Sequence, residues 1–361
     1  MGKFVLRRLG VMILTAICLT FIVFFMTNLP PNLEKLAKSE ASARMTDDAV
    51  DSWLTRNGYD RPVLLRYGEW LGVIPGWRAV AEDGTETGRC LSLAATPEEA
   101  PRYCGVLQGN WGYSTFFKAP VLEKLSYHLG LTGWLMLSVI LVMVPVSLIL
   151  GVLSGMREGS RLDRGLSAIA IASTATPEYV SGVLLIVIFA SATTGISPLL
   201  AEAGWIEGKT LFQGTATGAM DAITFWNFAL PVMTIALYGI GYIARMTRAS
   251  MTEVMTQQYI RTARLKGVGF RQVVMRHALR NALIAPFTVI MLQFPWLLNG
   301  VVIVETLFNY KGFGWTLVQA AGNNDIELLL GCSVVAVFVV LVTQLISDIG
   351  YVFLNPRIRL A

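Results

Sequence analysis

Apolar residues in this chain are gathered into six long blocks separated by polar segments. Stretches 9–29, 129–155, 225–244 and 281–304 hold no charged residue, 166–196 holds only Glu178, and 328–352 holds only Asp348. Each block meets the roughly 20 residues that a helix needs to cross hydrocarbon. In a medium without water, the helix is the natural way to satisfy the backbone. The pattern therefore predicts an all-α polytopic membrane protein with six transmembrane helices. The first block follows Arg7 and Arg8, is longer than a signal-peptide core, and precedes no small-x-small cleavage site, so it reads as a retained helix.

Composition agrees, with 54% hydrophobic and 15% charged residues among 361. Charge then orients the spans. With the N-terminus inside, the inner segments 1–8, 156–165, 245–280 and 353–361 carry 16 basic residues against 3 acids, Glu158, Asp163 and Glu253. The outer segments 30–128, 197–224 and 305–327 carry 13 basic and 19 acidic residues. A basic excess in short loops marks the cytoplasmic side, so the net charge of +5 is a topology signal and not a nucleic-acid footprint. Three regions follow: 1–29 as N-terminus and first helix, 30–128 as a small outer insert, and 129–361 as a transmembrane core with the inner loop 245–280.

Within the insert, Thr46-Asp47-Asp48 before Val50, Trp53 and Leu54 predicts a helix start. Residues 82–88 read as a loop, and Trp53, Trp70, Trp77 and Trp111 supply area for a small core. Cys90 and Cys104 both lie in the insert, where an oxidising compartment and their spacing predict a disulfide; two unrelated thiols are the other reading. Cys18 and Cys332 fall in spans and read as packed free thiols.

Catalytic motifs are missing. Only two histidines occur, His128 and His277, which excludes a His-rich metal site. Gly208-Lys209-Thr210 has Ala203 where a phosphate-binding loop needs glycine. No cofactor, metal or ATPase machinery is expected. Glu178, after Pro177 in the third span, has two readings: a polar point on a path for a solute, or a helix–helix contact. Asp348 reads as an ion-pair partner of an inner basic residue. Aromatics in 308–315, followed by a short turn at 317–321, read as a plug at the outer mouth or as an interface belt.

The inner loop 245–280 carries eight basic residues and one acid. Topogenic charge explains the sign but not the pattern. Tyr259, Ile260, Ala263 and Gly267 fall at helical spacing. They predict a short helix over 259–266 with a small-residue face at Ala263, ended by Gly267, able to enter a groove on another protein.

These residues resemble the permease subunits of ABC importers in the branch that handles dipeptides, oligopeptides and nickel. The resemblance rests on Tyr259-Ile260-Arg261-Thr262-Ala263-Arg264-Leu265-Lys266-Gly267 and His277-Ala278-Leu279-Arg280-Asn281-Ala282. It extends to Val304-Glu305-Thr306-Leu307-Phe308 with Gly312-Phe313-Gly314, and to Asp348-Ile349-Gly350-Tyr351 with Asn355-Pro356-Arg357-Ile358-Arg359. Near the start, Gly58-Tyr59-Asp60-Arg61-Pro62, Arg66-Tyr67, Trp70-Leu71 and Gly109-Asn110-Trp111-Gly112-Tyr113-Ser114 belong to the same pattern. Three departures stand out: Arg261-Thr262-Ala263 replaces the broader Glu-Ala-Ala, Asn355-Pro356-Arg357 replaces the family's Asp-Pro-Arg ending, and 73–108 looks like an insertion.

The resemblance implies a type I importer permease of the bacterial inner membrane, with a periplasmic insert and both termini cytoplasmic. It implies a second homologous permease, two cytoplasmic ATPase subunits or domains, a periplasmic solute-binding protein, and no catalysis in this chain. Tyr259, Ile260, Arg261, Thr262, Ala263, Arg264, Lys266 and Gly267 would couple to the ATPase. Peptide is the expected cargo; nickel, a sugar or an opine are alternatives, and an ion-coupled secondary transporter is the reading from another class.

The charge distribution sets an orientation that labelling can check. In intact cells, an impermeant thiol reagent should modify Glu86→Cys and spare Ser160→Cys. Equal labelling of both would reverse the reading.

Overall fold

The computed structural model describes residues 2–80, 86–93 and 96–354. The motif residues Asn355, Pro356, Arg357, Ile358 and Arg359, and loop residues 82–85, lie outside them. Four helices are long and apolar enough to cross a membrane: Leu6–Thr27, Val121–Gly155, Phe225–Met255 and Ile326–Gly350. A bent pair, Arg161–Ala175 with Glu178–Phe189, passes the same criterion when taken together. Contacts divide the chain into two compact units, one of described residues up to 128 with 316–338, the other of 129–315 with the described residues from 339 on.

The first unit begins with α1 (Gly2–Thr27). Pro30, whose fixed φ suits a first helical turn, starts α2 (Pro30–Glu40). Thr46 precedes α3 (Asp47–Arg56), whose first turn carries Asp47 and Asp48 at the positive end of the helix dipole. Helix α4 (Val63–Leu71) follows Pro62 and stops at Gly72, which has φ +88. Phe24, Leu33, Leu36, Tyr67, Trp70, Ile326 and Leu330 form the core. Of the four tryptophans read as core material, Trp70 is fully buried, while Trp53, Trp77 and Trp111 are half-buried. Arg61 grips Glu69 with two hydrogen bonds of 2.5 Å.

The segment read as a loop over 82–88 is in part a strand: β1 (Arg78–Val80) pairs antiparallel with β2 (Glu86–Gly88). Beyond it, Cys90 and Cys104 are joined by a disulfide with their Cα atoms 5.6 Å apart. A second short ladder joins β3 (Tyr113–Ser114) to β4 (Ala119–Pro120). Helix α5 (Val121–Gly155) starts directly after it, so 121–128, read as the end of the insert, are already helical. No breaker separates them from the apolar run.

The second unit is organised around α9 (Phe225–Met255). Helices α6 (Arg161–Ala175), α7 (Glu178–Phe189) and α13 (Ile284–Leu307) pack against it. Between α7 and α9 the chain makes the short α8 (Ser197–Glu202). After α9 come α10 (Gln258–Leu265), α11 (Phe270–Gln272), a π-helical turn Val273–Ala278 and α12 (Leu279–Ala282). Helices α14 (Phe313–Gly322) and α15 (Ile326–Leu354) are the last among the described residues, and each has residues in both units. Thr224 caps α9 reciprocally with Asn227, closing a capping box.

Gly151 and Gly155 of α5 lie against Ala244, Thr247, Arg248 and Met251 of α9, where an added Cβ would collide with backbone and side-chain atoms. Small residues four apart let two helix backbones approach closely. Leu135, Val139 and Met143 of α5 continue the contact into the core with Ile235, Ile240 and Ile243.

Three expectations change. The third span, read as one helix over 166–196, is broken into α6 and α7 with a bend of 110° and ends at Phe189. Pro177 has no N–H to donate and pushes Thr176 out of the helical region, to ψ 124. The inner loop is not a loop over its first part, because α9 runs unbroken through residues 245–255. No glycine or proline interrupts the chain there, and Thr247 and Met251 have buried surface to occupy. Finally, Phe308, Tyr310 and Phe313 are buried, so they are core residues and not an interface belt, and the short turn at 317–321 is part of a 10-residue helix.

The disulfide closes a loop with sequence separation 14, which in the chain-entropy view stabilises by about 3 kcal/mol. Cys90→Ser/Cys104→Ser should make the segment around the bridge cleavable by protease at a lower temperature than in the parent. An unchanged cleavage temperature would show that the bridge constrains nothing.

Candidate functional site

The basic loop builds a small rigid platform. Helix α10 presents two faces. Ile260 and Ala263 turn inward onto Met251, Val273, Val274 and Ala278. Tyr259, Arg261, Thr262, Arg264, Leu265 and Lys266 are exposed, Leu265 at 81%. The sequence reading put Ala263 on the outward, docking face. At 8% exposure it is occupied by the chain's own packing, because an apolar stripe on a short helix is buried first against the nearest apolar surface.

The helix ends as the glycine suggested. Gly267 has φ +77, its N–H donates to Arg264 O at 3.0 Å, and the Val268 N–H donates to Ala263 O at 3.2 Å. This is the double bond pattern of a Schellman turn, which needs a left-handed residue. Two ties fix the platform further. The Asn281 amide donates to the Tyr259 hydroxyl at 3.0 Å, and Ser250 Oγ donates to Ala282 O at 2.7 Å.

A buried ion pair anchors the neighbouring turn between α5 and α6. Arg248 of α9 donates to Asp163 from Nε at 2.5 Å and from a terminal nitrogen at 2.9 Å. Asp163 also accepts from Ser154 and from the Gly159 N–H, and its own N–H donates to Ser160 Oγ at the start of α6. A buried carboxylate survives when paired and fully hydrogen-bonded, and here those bonds tie α5, α6 and α9 together. The sequence reading counted Asp163 only as a loop charge, although Ser160 three residues before it was a readable cap signal.

Glu178 sits in the first turn of α7, just past the break, with its carboxylate against Gly300 of α13. Its Oε1 has no hydrogen-bond partner among the described residues. Asp348 lies half-buried in α15.

The sequence names Glu305 only within a family motif and assigns it no role. It is 0% exposed, at the end of α13. It accepts from Thr132 of α5 and, at 2.9 Å, from the Trp315 N–H. Thr132 Oγ1 in turn accepts from the Phe313 N–H at 2.7 Å. Tyr310 closes the arrangement by donating its hydroxyl to Leu131 O at 3.0 Å. One carboxylate thus fixes the 308–315 segment to α5 and α13. Its sequence signals are that motif and a lone acid closing an apolar run ahead of Gly312 and Gly314.

Residues 143–360 match the family described as binding-protein-dependent transport system inner membrane component, and the chain belongs to that family. It is similar over its full length to proteins whose names describe permeases. It is 30% identical to a probable peptide ABC transporter permease of Sinorhizobium fredii, covering 99% of this chain and 100% of that one. Identity is also 30% to a di/tripeptide transport system permease of Pseudomonas aeruginosa, with 99% of each chain covered. A putative peptide transport system permease of Brucella abortus is again 30% identical, over 99% and 98%. The chain is therefore an inner-membrane component of a transport complex.

Removing Glu305 leaves buried donors unpaired, which costs about 1–3 kcal/mol for each donor left unsatisfied. Glu305→Ala should lower the thermal unfolding midpoint of the purified protein clearly, and Thr132→Val less so. An unshifted midpoint for Glu305→Ala would mean that the carboxylate does not hold this segment.

Proposed function

We propose that this chain is one of two homologous permeases of an ATP-driven importer for di- and oligopeptides, with six spans, both termini cytoplasmic and residues 30–128 periplasmic. Helix α13, 24 residues long, serves as the fifth span beside the bent pair. The cargo reading rests on the full-length similarity to permeases named for peptides. The chain hydrolyses nothing; two cytoplasmic ATPase subunits or domains supply the energy, and a periplasmic binding protein supplies the cargo.

The observation that carries the coupling role is the platform. Its outer face offers Tyr259, Arg261, Thr262, Leu265 and Lys266, while Ile260 and Ala263 brace it from behind. Only two residues separate α10 from the end of α9. A push on α10 therefore reaches a helix buried among α6, α7 and α13 as a rigid-body displacement, the motion that alternating access requires. Gly267 lets the chain leave α10 without strain. Glu178, at the break of the bent pair, is the proposed polar point on the translocation path.

Exposure decides which substitution tests docking. Leu265→Asp leaves the core intact and should cost the contact about 2 kcal/mol, the scale of an interface hot spot. In the reconstituted complex it should abolish cargo-stimulated ATP hydrolysis and uptake with membrane insertion normal. Ala263→Asp buries an unpaired charge inside the platform and should instead lower the folded yield. Normal uptake by Leu265→Asp in an assembled complex would place the contact elsewhere.

A further inference from the structure

Next to α10 the same loop leaves a second apolar surface that its own packing does not use. Phe270 is 39% exposed and Met275 58% exposed. With Gly269, Arg271 and Gln272 they line an open cleft of about 580 Å³. The cleft lies in a segment whose charges place it against water, since 245–280 has eight basic residues to one acid. A large apolar pair rimmed by arginine in such a place is the composition of a protein-binding site, not of a solvated loop.

The wall of the cleft is held ready. The Phe270 ring lies under two guanidinium groups, Arg157 at 5.5 Å and Arg264 at 5.9 Å from its centroid. Arg157 comes from the turn between α5 and α6, and Arg264 from α10. Behind the cleft, Val273 and Val274 are buried in the cluster that also holds Ile260 and Ala263. The backbone that carries the ring is thereby anchored. A surface ordered in advance binds without the entropic cost of ordering it.

We infer that this cleft receives an apolar side chain flanked by acidic residues from the ATPase subunit, so that the contact is reciprocal: α10 projects into the partner and the partner projects into the chain at Phe270 and Met275. The inference rests on the docking reading given above. The occupant follows from charge and continuity. Arg271 in the lining, with Arg157 and Arg264 over the Phe270 ring, favours an acidic partner, and Phe270 follows Gly267, at the end of α10, by three residues. A lipid acyl chain or a second copy of this chain are the other occupants that the test can detect.

The test uses the complete transporter in nanodiscs. Met275→Glu places an acid opposite the partner's acids at an exposed position and should weaken ATPase-subunit binding at least tenfold with membrane insertion unchanged. The loss should grow at low salt, where like charges are less screened. A photo-crosslinking residue at position 275 should capture a peptide of the ATPase subunit that contains an apolar residue beside Asp or Glu. If Leu265→Asp disrupts binding and Met275→Glu does not, the helix docks and the cleft is empty, which overturns this inference alone. If neither variant disrupts binding, both readings fail. Capture of lipid, or of another copy of this chain, from position 275 would likewise overturn it.

Discussion

The close approach of α5 to α9 is the contact on which most of the second unit depends. Between apolar helices in lipid there is little hydrophobic drive, so packing distance and hydrogen bonds hold helices together. Gly151 and Gly155 allow the backbones to meet at Ala244, Thr247 and Met251. The same end of α9 carries Arg248 into its pair with Asp163, and Met251 into the cluster beneath α10. Farther along, Met143 lies against Gly239. A side chain at Gly151 would separate the helices and disturb the ion pair and the platform together.

Much of this was legible in the sequence, and the reasons differ by element. The long charge-free blocks announced helices because hydrocarbon leaves the backbone no other partner. The disulfide was legible because Cys90 and Cys104 share one polar segment. The end of α10 was legible because Gly267 marks a left-handed exit. What failed was tertiary. Ala263 looked like a docking face because periodicity reveals an apolar stripe but not which neighbour covers it. Pro177 can only mark a break, and a bend of 110° depends on what receives the second half, here α9 and α13.

The buried acids show the same limit. Asp163 and Glu305 are ordinary letters in the sequence, and their weight appears only when Arg248 and Thr132, at separations of 85 and 173 residues, come to meet them. Glu178 was noticed because it stood alone in an apolar block, but Gly300, the residue it lies against, carried no signal. Single-sequence reading finds charges in unexpected places; it does not find their partners.

In the proposed importer, α9 and α10 move as one body when the ATPase subunits close. Distances between spin labels at Met246→Cys and Leu265→Cys, in a background without Cys18, measure this directly in the reconstituted transporter. The account predicts the same distance distribution without nucleotide and with a trapped ATP state, while the distance from position 265 to its counterpart in the second permease shortens. A change in the 246–265 distance between the two states would show α10 swivelling on its own, and would contradict the transmission of force through α9.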